Sequence, residues 1–165
     1  MWHPKPEISF GGVQVFRGSN EINMDAKGRL AVPSRYRDAL LTAAEGQLVA
    51  TIDFEDPCLI IYPLPAWRDI EVQLARLPTF NPDARRVQRL LIGHARELEL
   101  DGSGRLLIPP ELRAYAGLEK AVVLVGQVHR FELWSAEHWN ASREQWLAAA
   151  AGGQSLPAEL QNLSL

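Results

Sequence analysis

A ten-residue stretch, Met24-Asp25-Ala26-Lys27-Gly28-Arg29-Leu30-Ala31-Val32-Pro33, returns later in the chain as Leu100-Asp101-Gly102-Ser103-Gly104-Arg105-Leu106-Leu107-Ile108-Pro109. At an offset of 76 residues, identity holds at Glu21/Glu97, Asp25/Asp101, Gly28/Gly104, Arg29/Arg105, Leu30/Leu106, Pro33/Pro109 and Arg37/Arg113. Unlike residue types recurring at one spacing mark a tandem repeat. The 165-residue chain is therefore read as two small half-domains sharing one core.

Within each copy an Asp is followed three residues later by Gly, and an apolar run begins after the next Arg. Asp favours the first position of a tight turn, where its carboxylate accepts backbone N–H bonds. Gly suits a position requiring positive φ. Asp25, Gly28, Asp101 and Gly104 are thus read as turn formers, and each copy as a hairpin: Gly18 to Met24 with Leu30 to Val32, and Ala95 to Leu100 with Leu106 to Ile108. Pro33 and Pro109 stop the second strands. Arg29 and Arg105 have two readings. Either folds back on its Asp and pins the turn, or it points outward to a phosphate or to the O6/N7 edge of guanine.

The two Asp-x-x-Gly-Arg motifs, with Phe16-Arg17-Gly18, Pro33-Ser34-Arg35-Tyr36-Arg37, Asp56-Pro57-Cys58-Leu59, Tyr62-Pro63-Leu64-Pro65, Gln88 to Ala95 and Phe131-Glu132-Leu133-Trp134, closely resemble the MraZ family of bacterial transcriptional regulators. The resemblance runs from about Phe16 to Trp139. It implies an α+β, mainly β fold: two pseudo-symmetric repeats forming an AbrB-like swapped-hairpin, double-psi-type barrel with flanking helices. It also implies a homo-oligomeric ring of about eight or more subunits and sequence-specific binding of double-stranded DNA at short G-rich direct repeats in the protein's own promoter. Regulation of the division and cell-wall gene cluster would follow, with a cytoplasmic, nucleoid-associated location. Carried over residue by residue, Arg29 and Arg105 are the candidates for base contact and Lys27 for phosphate; its counterpart Ser103 is neutral. Arg17, Arg35 and Arg37 complete the DNA-binding set, the last two with the alternative of pairing with acids of their own helix. The competing class is a ring-forming scaffold that binds no DNA.

A formal charge of −3 is unusual for a protein expected to neutralise phosphates. The distribution differs from the total. From Arg17 to Arg37 five basic residues face two acidic ones, whereas from Glu132 onward one basic residue faces four acidic ones. Cys58, the single cysteine, cannot form an intramolecular disulfide and is read as a small buried hydrophobe. The four histidines have no metal-ligand spacing, and no nucleophile elbow or phosphate-binding loop is present, so neither enzyme, metal nor cofactor is expected. His94 is read as a structural hydrogen-bonding residue.

Four segments follow: an N-terminal extension (1–15), a first repeat (16–92), a second repeat (93–147) and a C-terminal tail (148–165). The extension has no long apolar segment. It is expected to be disordered or to reflect a misassigned start, with translation beginning at Val15. Helices are expected over Ser34 to Leu41 with Ser34 as N-cap, over Pro110 to Ala116 closed by Gly117, and through Trp67, Ile70, Leu74 and Leu77. A further helix begins at Pro82 behind an Asn81 cap, with Arg85, Arg86 and Arg89 away from its apolar face, and another follows a Ser135 cap. Apolar strands are expected over Leu48 to Ile52, Leu59 to Tyr62, Ala121 to Val125 and Phe131 to Trp134. The aromatic residues of the helices are read as core or subunit contacts. Leu156, Leu160 and Leu163 suggest a frayed amphipathic helix.

Overall fold

The structure is a computed structural model that describes residues 15–153 and 156–164. The expectations for residues 1–14 lie outside the described residues.

The first repeat contains β1 (Phe16–Asn23), β2 (Arg29–Ala31), α1 (Ser34–Ala44), β3 (Gln47–Ile52), β4 (Leu59–Pro63) and α2 (Leu64–Ala75). After α3 (Pro82–Leu91), the second contains β5 (Arg96–Glu99), β6 (Arg105–Leu107), α4 (Pro110–Ala116), β7 (Ala121–Val128), β8 (Phe131–Ser135) and α5 (Ala136–Ala151). A short α6 (Ala158–Gln161) closes the described chain.

The later hairpin of each repeat forms, β3 pairing with β4 and β7 with β8, but the strands flanking the two Asp turns do not pair with each other as expected. β1 runs antiparallel to β7 of the other repeat, from Phe16↔Val128 to Asn23↔Ala121. β5 pairs with β3 of the first repeat, and β2 pairs with β6. For β1 the reason lies in strand length. β1 has eight residues and β7 offers eight partners, whereas β2 has only three. A β1–β2 hairpin would leave most of the long strand's backbone groups without partners. The six-stranded sheet has the order β1-β7-β8-β4-β3-β5, which reads the same from either end once equivalent strands are exchanged. Its pseudo-two-fold passes between β8 and β4. No pairing among the described residues closes this open sheet and the separate β2–β6 ribbon into the expected double-psi-type barrel.

Burial follows the pleat. Leu48, Ala50 and Ile52 of β3, and Val122 and Leu124 of β7, face the main core with Phe16, Leu30, Val32, Leu106, Ile108 and Phe131. Val49, Ile60 and Tyr62 face the other way, against Trp67 and Leu74 of α2. Val123 and Val125 cover Cys58 and Trp134 on that same side, with Trp139 of α5. Both sheet faces are covered, which explains the unbroken apolar run of β7 and the nearly unbroken one of β3, where Thr51 is buried with its hydroxyl donating to the Leu91 carbonyl.

Asn81 caps α3, its Oδ1 accepting from Asp83 N at 2.9 Å, and Ser135 Oγ accepts from His138 N at 3.0 Å to cap α5. Ser34 does not cap α1. Pro33 stands at the N-cap without a side-chain bond, and the helix continues to Ala44, three residues beyond Leu41. Leu156, Leu160 and Leu163 are all exposed, so the short α6 presents no packed apolar face.

Leu30 and Leu106 are paired at the centre of the ribbon and are 1% and 2% exposed. Leu106→Ala is expected to lower the unfolding free energy by about 2–5 kcal/mol in urea denaturation. A loss under about 1 kcal/mol would show that the ribbon is not part of the cooperative core.

Candidate nucleic-acid interface

Each Asp organises its turn with both carboxylate oxygens. Asp25 Oδ1 accepts from the backbone N–H of Lys27 (3.0 Å) and Arg29 (2.9 Å), while Oδ2 accepts from Arg29 Nε at 2.8 Å. Asp101 repeats the pattern with Ser103 N (2.8 Å), Arg105 N (2.9 Å) and Arg105 Nε (3.1 Å). Donation from the Arg29 and Arg105 backbone N–H groups, with further bonds from the same turns, holds both carboxyls below the usual aspartate range.

Both readings of Arg29 and Arg105 meet in this geometry. Nε is tied back to Asp, yet the side chains remain 34% and 37% exposed, and among the described residues their Nη groups donate to no protein acceptor. The ribbon register is Arg29↔Leu107, Leu30↔Leu106 and Ala31↔Arg105. The central leucines point into the core, so alternation turns Arg29, Ala31, Arg105 and Leu107 to the opposite face. Arg29 and Arg105 are diagonal neighbours there, with Cα atoms about 8 Å apart. The two motifs, 76 residues apart in sequence, form one surface.

Arg37 and Arg113 have a different role. Arg37 Nε donates to the Val32 carbonyl, and Arg113 Nε to the Ile108 carbonyl at 3.0 Å. Each lies under the turn of the other repeat. A Cβ on Gly104 would stand 2.5 Å from Arg37 Cδ, and one on Gly28 would stand 2.7 Å from Arg113 Nε. Both glycines also have positive φ, +72° and +89°. Arg37 pairs with no acid of its own helix and serves as a packing anchor. Arg113 was not nominated from sequence, although its identity with Arg37 across the repeat was the available signal.

The remaining cations are dispersed. Arg35 stacks over the Tyr36 ring at 4.6 Å and donates to Asn20 Oδ1 at 2.9 Å, again without an acidic partner. Arg17 is exposed, its side chain alternating to the face of β1 opposite Asn20, and only its carbonyl joins this group by accepting from Tyr36 OH. This cluster sits at the end of β1 remote from the Asp25 turn, seven residues along an extended strand, and is not brought to the ribbon face. Lys27 is exposed in its turn, beside Glu97, Glu99 and Leu107. On α3, Arg85, Arg86 and Arg89 are exposed, with Arg86 3.5 Å from Asp83.

Cys58 is fully buried, and burial pushes its thiol far above the usual range. Asp53 and Glu132 lie beside it, and the Glu132 carboxyl is raised mainly by burial. His94 Nδ1 lies 2.8 Å from the Leu90 carbonyl, in keeping with its structural reading.

The family model described as "MraZ protein, putative antitoxin-like" matches twice, over residues 15–90 and 91–152. The chain belongs to the MraZ family. The protein named transcriptional regulator MraZ of Alkalilimnicola ehrlichii is 58% identical over 151 residues, covering 92% of this chain and all of the relative. Its namesake in Halorhodospira halophila is 57% identical over 152 residues with the same coverages. That of Pseudomonas aeruginosa PAO1 is 56% identical over 151 residues, again covering 92% and 100%. The two MraZ matches each contain one Asp-x-x-Gly-Arg turn, so the family repeat and the geometric repeat coincide.

Two outcomes follow from the turn geometry. The Asp25 and Asp101 carboxyls are lowered in the fold, so their contribution to stability is present above the unfolded value of 3.8 and is lost only as pH falls through the lower folded value. Carboxyl-carbon NMR titration should place both midpoints below 3.8. A midpoint at or above that value would contradict the bonding. Gly104→Ala, which combines positive φ with the Arg37 clash, should cost more than about 1 kcal/mol in chemical denaturation. Gly102→Ala, where a Cβ meets nothing within 4 Å, should be nearly silent.

Proposed function

We propose that this MraZ-family chain is a transcriptional regulator that binds double-stranded DNA through the outward face of the β2–β6 ribbon. The observation carrying this reading is the placement of Arg29 and Arg105 on one face of the ribbon, each with Nε anchored to its Asp and its side chain still about a third exposed. A two-stranded antiparallel ribbon fits the major groove, and paired guanidinium N–H groups match guanine O6 and N7. The Asp anchor restricts the side chain before it meets a base, so less rotamer entropy is lost on contact. Lys27 is assigned to phosphate. Arg17 and Arg35 are assigned to neighbouring backbone at most, while Arg37, held in the fold, supports the surface from behind.

The names of the relatives, transcriptional regulator MraZ, support the regulatory role. Family resemblance supports short G-rich direct repeats in the protein's own promoter, control of the division and cell-wall cluster, and a ring of about eight or more subunits. We read the exchange of β1 and β5 between repeats as an AbrB-type swapped hairpin. One ribbon makes few base contacts, and a ring of linked ribbons on repeated sites would raise the effective concentration of each next contact. The location follows as cytoplasmic and nucleoid-associated.

The closed Asp–Arg pairs favour one other reading, a ring scaffold in which these turns are structural and no DNA is bound. Fluorescence anisotropy with DNA from upstream of the gene, a scrambled control and two salt concentrations separates the two. Arg29→Ala should weaken specific binding by about 1–3 kcal/mol with the assembly intact. Lys27→Ala should weaken binding to both DNAs alike and reduce the salt slope by about one. Equal wild-type affinity for both DNAs, or an assembly that dissolves in Arg29→Ala, would favour the scaffold.

A further inference from the structure

The ribbon's pseudo-two-fold passes through the Leu30–Leu106 pair and exchanges Arg29 with Arg105. An exact two-fold would present the same surface to either strand of the duplex, and the protein would lie on its site in both directions equally. The symmetry fails at three exposed positions of the turns and ribbon. Ala31 exchanges with Leu107, Lys27 with Ser103, and Ala26 with Gly102, the last a difference of one methyl group. Leu107 and Lys27, the two larger changes, lie on one half: Leu107 is directly opposite Arg29, Lys27 belongs to the Arg29 turn, and the two line one groove with Arg113. The other half carries the short side chains Ala31 and Ser103 beside Arg105.

Leu107 is 54% exposed, although its neighbours Leu106 and Ile108 are buried. A leucine held outward between two arginines has one apolar complement on base edges in the major groove, the C5-methyl group of thymine. Ala31 lacks the reach to make the equivalent contact on the other half. We propose that Leu107, by contact with a thymine methyl, and Lys27, by contact with phosphate on the same half, set the direction in which the ribbon lies on DNA. The proposal rests on the DNA-binding reading above and deepens it: Leu107 becomes a specificity-determining residue, and the site it prefers is non-palindromic.

The test uses the full-length protein with an iron chelate that cleaves nearby DNA, tethered at Gly102→Cys, where added atoms meet nothing within 4 Å. Cys58 is buried with its thiol pushed up, so the tether reacts at residue 102 alone. On DNA from upstream of the gene, the tethered protein should cut one flank of each bound repeat about tenfold more than the other. With Leu107→Ala and Lys27→Ser added, the two flanks should be cut about equally. Exchanging the pairs outright (Ala31→Leu with Leu107→Ala, Lys27→Ser with Ser103→Lys) should move the cut to the opposite flank. Lys27, Ala31, Ser103 and Leu107 are all exposed already, and thermal melting verifies that each variant folds.

One-sided cutting that survives both sets of substitutions overturns the proposal while leaving DNA binding in place. Equal cutting of both flanks by the protein carrying only the tether overturns it as well. Absence of any localised cutting, with anisotropy showing no preference over scrambled DNA, overturns the DNA-binding reading and this proposal with it.

Discussion

Arg37 and Arg113 each reach from a helix of one repeat to the glycine turn of the other, and this reciprocal anchoring holds the motif surface together. Arg37 binds the Val32 carbonyl, the Val32 N–H binds the Gly104 carbonyl at 3.0 Å, and Gly104 leaves room for the Arg37 stem. The mirrored circuit runs through Arg113, Ile108 and Gly28, with the Ile108 N–H to Gly28 carbonyl bond at 2.9 Å. A turn completed by the opposite repeat forms only when both repeats are in place. The same dependence governs β1 and β5, whose ladders lie entirely with strands of the other half. Folding should therefore be one cooperative event.

Local chemistry was legible in the residues. The Asp-x-x-Gly-Arg spacing gives the turns, Asn81-Pro82 gives the start of α3, Ser135 that of α5, and Gly117 the αL end of α4. These depend on bonds spanning a few residues. The pairings of β3 with β4 and of β7 with β8 were legible as strands around a turn, but the partners of the strands flanking the Asp turns were not, because turn chemistry at Asp25 is satisfied equally by strands that pair or diverge. The Asp25 N–H to Arg29 carbonyl bond closes the turn at 2.9 Å while the flanking strands part. The exchange is visible only when the eight residues of β1 are matched against β7, 98 to 112 positions away.

The same division explains the arginines. Arg29 and Arg105 could be placed at turns from sequence because their Asp partners lie four residues away. Arg35 takes its partner, Asn20, from β1 folded against it, and Arg37 and Arg113, though bonded to carbonyls five residues earlier, are placed by packing under the opposite turns. A repeated arginine signals a role common to both halves without saying whether that role is contact or support. The distinction comes from what Nε binds. In Arg29 and Arg105 it binds a carboxylate at the surface; in Arg37 and Arg113 it binds a backbone carbonyl beneath the surface.

Placing an Asp beside each outward arginine has an electrostatic consequence. It offsets the attraction to phosphate that a free guanidinium would supply, leaving Lys27 as the unpaired cation on the ribbon, among the described residues of its two turns. With a net charge of −3, non-specific attraction to a polyanion would be weak, so under the DNA-binding reading geometry and repetition would have to supply most of the affinity. An oriented ribbon then matters more than a strongly charged one. Where each contact is weak, neighbouring subunits reinforce one another only if every ribbon meets its repeat in the same direction. Directional bias from one leucine and one lysine would therefore multiply along an array of sites, even if it were modest at each.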